Sequence, residues 1–487
     1  MRQPTSIDLF AGCGGLARGL EWAGFDCLAF NELNEDAADS FAANFPNAMR
    51  FDGDLRTALS NKVIKSTLVP LIEARGGLDL LTGGPPCQGY SGIGHRRTHA
   101  MNKHEIPTNH LYLEMVRVIK ALKPRVFLFE NVEGILSSTW YDYSAEKRLV
   151  KNWIKNPTEV TVSGIRSFSD AYDIVLKGQK KAELLENLSI ELTTKADEHR
   201  ELNRGEIFRD VWASFSGIRG YVAQPTLLHS YGFGVPQNRP RVMILGVRKE
   251  LLQGTGKKPA AFDTSNKNYA AKLRCNGGLF PTWDEDVLKA PHLIELLSDL
   301  NFTGWSEDEQ PYYQLEPTTD IQRFFRKDVP RDAEGRQVLR DHEFSKHSLL
   351  VVERFQYMLD HGVTVMSDLP ERLQTKKFSQ KPLPARWKHQ PTFTVTSLPD
   401  DYVHYSEPRS FSVREWARMQ TFPDHHIFCG KRTTGGSRRA GNPAEDDWER
   451  EVPKYTQIGN AVPPLMAEAI GRTILEFLPS VQTTSQQ

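Results

Sequence analysis

The tightest constraint on this chain is a place where a strand is forced to stop. The apolar run Leu78-Asp79-Leu80-Leu81 reads as a buried strand, and it meets Gly83-Gly84-Pro85-Pro86, residues that cannot extend a ladder. The strand must end in a stiff turn. Cys87 sits at the tip of that turn and is followed by Gln88, Gly89, Tyr90 and Ser91. A reactive side chain is commonly carried this way, on a loop held by a rigid element. A lone cysteine is nevertheless more often a small buried hydrophobe than a nucleophile. The assignment therefore depends on what other segments bring to the same edge.

Several segments repeat the pattern of strand, then polar turn. Ser6 to Phe10 is an apolar strand, and Ala11-Gly12-Cys13-Gly14-Gly15 leads from it into an amphipathic helix from Leu16 to Ala23. Such a strand, glycine turn and helix lets backbone approach a ligand at the carboxyl edge of a parallel sheet. Cys27 to Phe30 ends in Asn31-Glu32, about 20 residues after the turn, the spacing at which dinucleotide folds hold a ribose. Asp52-Gly53-Asp54-Leu55 offers another acid. Two acids at successive strand ends suit an adenosine better than a pyrophosphate, which they would repel. A helix from Asn109 to Leu122 leads to the strand Arg125 to Phe129, which ends in Glu130-Asn131-Val132. That places a carboxylate beside Cys87.

The remainder divides by composition. Residues 140–205 are charged, with Leu184, Leu185, Leu188 and Leu192 at helical spacing, and read as a helical insertion. The sheet pattern resumes in Tyr221 to His229, then Gln237-Asn238-Arg239-Pro240-Arg241 and the strand Val242 to Val247. Arg239 and Arg241 alternate at strand spacing, so both are expected on one face, which is costly without an anion. From Lys249 to Pro391 the alternation disappears among prolines, turns and scattered bases such as Arg323, Arg326, Lys376, Lys377 and Lys381. Ser412-Val413-Arg414-Glu415 reads as a helix start. Lys431 to Asn442 reads as a basic loop, and Gln457 to Pro464 precedes a helix from Leu465 to Leu478. The expected domains are 1–248 (catalytic, with the insertion), 249–400 (recognition), 401–455 (hinge and support) and 456–480 (a helix completing the first).

The totals narrow the class. A chain of 487 residues exceeds one ordinary core. No apolar run approaches the roughly 18 residues of a membrane span, and Met1 to Thr5 lacks an export signal, so a cytosolic protein is expected. Five cysteines, Cys13, Cys27, Cys87, Cys275 and Cys429, without a C-x-x-C pair, argue against disulfides and zinc. The 61 basic and 61 acidic residues cancel. A polyanionic partner must therefore be met by local patches such as His95-Arg96-Arg97.

Taken in order, the segments Asp8 to Gly15, Asn31-Glu32, Gly53-Asp54, Gly84 to Gln88, Glu130-Asn131-Val132, Gln237 to Arg241, Arg414-Glu415 with Ala417-Arg418, and Gly459 to Pro464 resemble the motifs of the C5-cytosine DNA methyltransferases of bacterial restriction-modification type. The resemblance spans the chain apart from the middle stretch and the insertion. It implies an α/β fold: a doubly wound, Rossmann-like domain that binds S-adenosylmethionine, with a smaller irregular target-recognition domain. It further implies that Phe10 packs on the adenine, Glu32 holds the ribose, Asp54 the adenine amino group and Asn460 the methionine end. Gly12, Gly14 and Leu55 would complete that site. Pro86, Gln88, Ser91, Arg96, Arg97 and Gln237 would touch the DNA.

The chemistry implied by the resemblance is coherent. Carbon 5 of cytosine is a poor nucleophile, and addition of the Cys87 thiolate at carbon 6 would activate it. A free thiol with a pKa near 8.5 needs nearby positive charge to ionise, which Arg239 and Arg241 could supply. Glu130 would bind N3 and the amino group, and Arg241 the ring carbonyl. The base must leave the stack to be reached. The expected partner is duplex DNA, with a separate cognate endonuclease; a monomer without metal is expected. A tRNA cytosine methyltransferase and a non-catalytic DNA-binding relative are the alternatives. The long irregular segment favours duplex reading over the first, and Cys87, Glu130, Arg239 and Arg241 kept together argue against the second. Departures from the family pattern are Cys13 in the glycine turn, Leu33 after Glu32, and Ala461 where serine is common.

Overall fold

The computed structural model describes residues 2–51, 53–56, 64–86, 110–141, 204–262, 272–273, 277–282, 290–301, 312–375, 392–397, 402–434 and 451–478. Cys87, Gln88, Ser91, Arg96, Arg97, Lys376, Lys377, Lys381, most of the 140–205 insertion and all but the start of the basic loop lie outside them.

Seven strands form one sheet: β1 (Thr5–Leu9), β2 (Asp26–Asn31), β3 (Met49–Arg50), β4 (Leu80–Gly83), β5 (Val126–Val132), β8 (Tyr221–His229) and β9 (Pro240–Arg248). Their order is β3-β2-β1-β4-β5-β9-β8. The first five are parallel, and β9 runs antiparallel to both β5 and β8. Both faces are covered, which is why these strands are near-continuous apolar runs. On one face lie α4 (Leu111–Leu122) and α5 (Ile207–Ser216), packed on Ile7, Leu9, Leu81, Phe127 and Phe129. On the other lie α1 (Gly15–Ala23) and the last helix, α11 (Pro464–Leu475), packed on Leu80, Leu128 and Leu245. This is the doubly wound sheet expected from the sequence, with one reversed strand that was not. Between these come α2 (Glu35–Asn44), α3 (Val69–Ala74) and, in the second half, α6 (Leu293–Leu297), α7 (Asp320–Arg326), α8 (Leu349–His361), α9 (Val413–Met419) and α10 (Lys454–Asn460).

Two short strands, β6 (Thr139–Tyr141) and β7 (Arg204–Glu206), pair antiparallel with Thr139 opposite Glu206. The insertion therefore enters and leaves the domain at one point beside α5. The segments of the expected recognition domain share a core with those that follow: Leu293, Leu296, Leu297, Phe325 and Leu339 pack with Phe393, Phe411, Trp416, Tyr455 and Ile458. That core crosses the expected boundary at residues 400–401.

The C-terminal helix docks against α1 at backbone distance. A Cβ on Gly19 would lie 2.1 Å from the Pro464 carbonyl oxygen and 2.5 Å from Ala467 Cβ, and one on Gly471 2.8 Å from Ala23 Cβ. Only hydrogen fits at this crossing. Gly19→Ala should therefore lower the unfolding free energy by about 1–3 kcal/mol through overpacking, read as a lower urea midpoint at unchanged m-value. An unchanged midpoint would show that the crossing can give way.

Candidate active site

Two groups of residues meet at the carboxyl edge of the sheet. The first is the glycine turn after β1. Phe10, Gly12 and Gly14 adopt left-handed backbone, with φ of 55°, 55° and 89°. For Phe10 this is an uncommon conformation, of the kind held at ligand sites by surrounding structure. The turn is pinned from β2: Ala11 N–H donates to the Asn31 carbonyl (3.0 Å), and Gly12 N–H to Glu32 Oε2 (2.9 Å). Glu32 Oε1 also accepts from Asn34 N–H (2.8 Å). Burial raises the Glu32 pKa, and these backbone donors pull it back. A Cβ on Gly12 would meet nothing within 4 Å, whereas one on Gly14 would strike Phe45 at 2.7 Å. Gly12 thus borders open space, and Gly14 is a packing glycine.

The next loop carries Asp54. The Asn31 amide donates to the Phe51 carbonyl (2.9 Å) and the Gly53 carbonyl (3.0 Å), tying this loop to the end of β2. Asp54 is bound by Arg56, whose Nε lies 2.9 Å from Oδ2, and this hydrogen bond lowers its pKa. Leu55 is buried. Leu33 is 64% exposed beside Glu32, an apolar side chain left facing solvent at the lip of the turn. Asn460, also exposed, closes α10. Cys13 is buried, and burial pushes its thiol well up. It packs like the apolar residue it replaces, while its carbonyl accepts from His426 Nε2 (3.0 Å).

The second group surrounds the turn that precedes Cys87. Asn131 Nδ2 donates to the Pro85 carbonyl (3.2 Å), fixing this turn to the end of β5. A Cβ on Gly84 would lie 2.7 Å from Glu130 Oε2. A side chain there would have to displace the Glu130 carboxylate. Pro86, half-buried, is the last described residue before Cys87. Arg241 Nε lies 2.7 Å from Glu130 Oε1 in a nearly buried ion pair. Burial raises the Glu130 pKa, and Arg241 and then Arg239 oppose it. The net effect is a carboxyl held above its usual range by burial, against the pull of the two guanidiniums.

Arg239, expected on one face with Arg241, acts on the same carboxyl, since its charge opposes the rise of the Glu130 pKa. It precedes β9, and its guanidinium donates to the carbonyls of Val395 (2.7 Å) and Gly459. Gln237, expected to touch DNA, is fully buried. Its amide donates to the Met419 carbonyl (2.9 Å) and to Gln420, and its oxygen accepts from Val395 N–H (2.8 Å). Both residues fasten the sheet to segment 392–397 and to α9 and α10.

The helix start expected at Ser412 is present as a reciprocal cap: Ser412 Oγ accepts from Glu415 N–H (3.1 Å), and Glu415 accepts from Ser412 N–H (2.6 Å). What the sequence did not reveal is that the charges of α9 point inward. Arg414, Glu415 and Arg418 are completely buried. Arg409 forks onto Glu415 (2.8 and 2.7 Å), and Arg418 bridges Asp299 (3.0 Å) and Asp424 (2.6 Å) while donating to the Leu296 carbonyl (2.8 Å). The ion pairing outweighs burial for Glu415, whose pKa falls well below the carboxylate range. Arg326, read among scattered bases, is also internal, donating to the Leu315 carbonyl (2.7 Å) and stacking 4.0 Å over Tyr313.

The profile of the C-5 cytosine-specific DNA methylase family matches residues 5–156 and 163–476. The chain belongs to that family. As a member of the C-5 cytosine-specific DNA methylases, it is a DNA cytosine-5-methyltransferase. It is 28% identical to the type II methyltransferase M.DdeI of Desulfomicrobium norvegicum, over 98% of this chain and 89% of that one. It is 25% identical to M1.HphI of Haemophilus parahaemolyticus, over 97% and 87%. Its fold is similar to a putative DNA modification methyltransferase from an Escherichia coli prophage, with a TM-score of 0.57, 20% identity and coverage of 97% and 98%. Among the described residues no helix is long and apolar enough to cross a membrane, and no cluster of three metal-ligating side chains occurs.

In this methylase the buried arginines of α9 are structural. Arg418→Met would leave Asp299 and Asp424 without their shared cation, and should cost about 3–5 kcal/mol of stability. Thermal and urea unfolding at neutral pH measure this. A loss below about 1 kcal/mol would mean that Arg326 and Tyr313 suffice for the two acids.

Proposed function

We propose that this methylase uses S-adenosylmethionine to methylate carbon 5 of a cytosine flipped out of a specific duplex sequence, through a covalent bond between Cys87 and carbon 6. The observation that carries this reading is the Glu130–Arg241 pair, 2.7 Å apart and packed on Gly84, one turn before Cys87. The cofactor site is supported by the open space over Gly12, the left-handed Phe10, the half-buried Glu32 and the exposed Leu33. These residues fit an adenosine: an apolar lip for the ring and a carboxylate for ribose hydroxyls. S-adenosylmethionine would supply an electrophilic methyl group.

The protein's part follows from charge. Cys87 as thiolate adds to carbon 6, and the electron pair displaced from the 5,6 double bond makes carbon 5 nucleophilic. Glu130, whose burial favours the protonated form, donates to N3 and neutralises the charge that would otherwise develop on the ring. Arg241 holds Glu130 in place and presents its remaining N–H groups to the ring carbonyl. After carbon 5 accepts the methyl group and loses its proton, the double bond re-forms and the sulfur leaves. A stacked base cannot be attacked in this way, so extrusion at a cost of a few kcal/mol comes first. The irregular segment between Arg248 and Val413 would read the duplex, and Gln88, Ser91, Arg96 and Arg97 would close on it.

Duplex DNA carrying 5-fluorocytosine at the target should trap a covalent protein–DNA adduct, because fluorine stands where the carbon 5 proton must leave and cannot depart as a cation. Cys87→Ser should form no adduct and transfer no methyl groups while still binding S-adenosylmethionine. Glu130→Gln should reduce kcat by about 100- to 1,000-fold. Turnover by the Cys87 variant would remove the covalent mechanism.

A further inference from the structure

The sheet edge holds a third carboxyl that the mechanism above does not use. Asp8 lies on β1, two residues before Phe10 and four before Gly12. Its neighbours Ile7 and Leu9 enter the core on one face, so strand alternation turns Asp8 to the other, among Leu80 and Leu128. It is 2% exposed. Oδ1 accepts from the Thr82 hydroxyl at 2.6 Å, and Oδ2 is buried with no hydrogen-bond partner. An ionised carboxylate in such a place would lack half its solvation.

Its electrostatic surroundings are negative. Glu32 at the end of β2 and Glu130 on β5 both act on it, and Cys27 of β2 lies within its field. Arg241, the cation beside Glu130, is committed to that carboxylate. The helices packed on this face carry their charges in pairs of their own, Arg18 with Glu21 on α1 and Arg472 with Glu468 on α11. Burial first of all, with the charges of Glu32 and Glu130 adding and the Thr82 hydroxyl opposing, raises the Asp8 carboxyl to about 7. Among the described residues none supplies a counter-charge to this group, and the cationic ligand of the adjoining glycine turn can.

We propose that Asp8 is a specificity-determining residue that senses the charge of the cofactor: it ionises when the sulfonium of S-adenosylmethionine is bound and takes its proton back when the uncharged thioether product remains. This rests on the S-adenosylmethionine reading. The substrate cofactor carries one net positive charge more than S-adenosylhomocysteine, so only the former lowers the pKa of a nearby carboxyl. Binding of the substrate cofactor then releases a proton to solvent, and product formation takes one up. By linkage, a cation that favours the carboxylate binds more tightly as pH rises, until Asp8 is already ionised in the free protein. Preference for substrate over product is therefore weak in acid and full above neutrality.

Calorimetric titration of the full-length protein, with each cofactor in buffers of different ionisation enthalpy, reads this directly. Near neutral pH, S-adenosylmethionine should release a substantial fraction of a proton and S-adenosylhomocysteine much less. A shift of one pKa unit corresponds to an affinity ratio that rises about tenfold between roughly pH 5 and pH 8. Asp8→Asn should flatten that profile. Thr82→Val, which removes the hydroxyl that favours the carboxylate, should move its midpoint to higher pH. Equal proton release by the two ligands, or an unchanged profile in Asp8→Asn, would overturn the proposal while leaving the cofactor assignment intact. Failure of either ligand to bind would overturn the cofactor assignment with it.

Discussion

The ion pair between Glu130 and Arg241 exists because one strand runs backwards. Glu130 is near the carboxyl end of β5, and Arg241 is the second residue of β9. With β9 antiparallel, Val132 faces Arg241 and the two charges meet at the same sheet edge. In a parallel β9, Arg241 would begin at the opposite edge, roughly 20 Å away along a seven-residue strand. The reversal also explains how a buried acid is tolerated beside the turn of Cys87. Desolvation pushes the Glu130 pKa up, and a guanidinium at 2.7 Å opposes that push.

Around that pair, the residues that look most like DNA contacts bind the protein to itself. Gln237 and Arg239 reach across to Val395, Met419 and Gly459. The glycine turn is reached by His426 through the Cys13 carbonyl, and α2 by Gln457, whose Oε1 accepts from Ser40 Oγ at 2.6 Å. Segments 392–397, 402–428 and 454–460 are thus attached to both ends of the carboxyl edge. A displacement of α9 would be felt at the segment that leads into β9 and Arg241, since Gln237 in that segment is bonded to Met419 at the end of α9.

Much of this was visible in the chain itself, for identifiable reasons. The strand–glycine–helix unit from Thr5 to Ala23, the strand at Tyr221–His229 and the cap at Ser412 are local features, and local propensity reports them well. Glu130 was legible because a polar residue at the end of an apolar run has few reasons to be there. The direction of β9 was not, because a buried run has the same pattern read either way. Nor were the fates of Gln237, Arg239, Arg414 and Arg418: apart from Asp424, six residues beyond Arg418, their partners are more than 70 residues away or are backbone carbonyls with no sequence signature.

The buried guanidiniums also change what zero net charge means for a DNA-modifying enzyme. Arg239, Arg241, Arg326, Arg354, Arg409, Arg414 and Arg418 are all buried. Each is held by internal acids or carbonyls, so none is available to neutralise a phosphate. Their acid partners Asp299, Glu415 and Asp424 are buried with them, and internal pairs cancel out of the field at the surface. Phosphate contacts, which dominate affinity and its salt dependence, must therefore come from bases elsewhere in the sequence. Lys376, Lys377, Lys381, Arg386 and Lys388 occur within 13 residues that contain no acid, and Arg96, Arg97 and Lys103 follow closely on Cys87. In the proposed reading, the charge that would meet DNA comes from the stretch after Cys87 and from the irregular segment. The charge that orders α9 is shielded from it by burial.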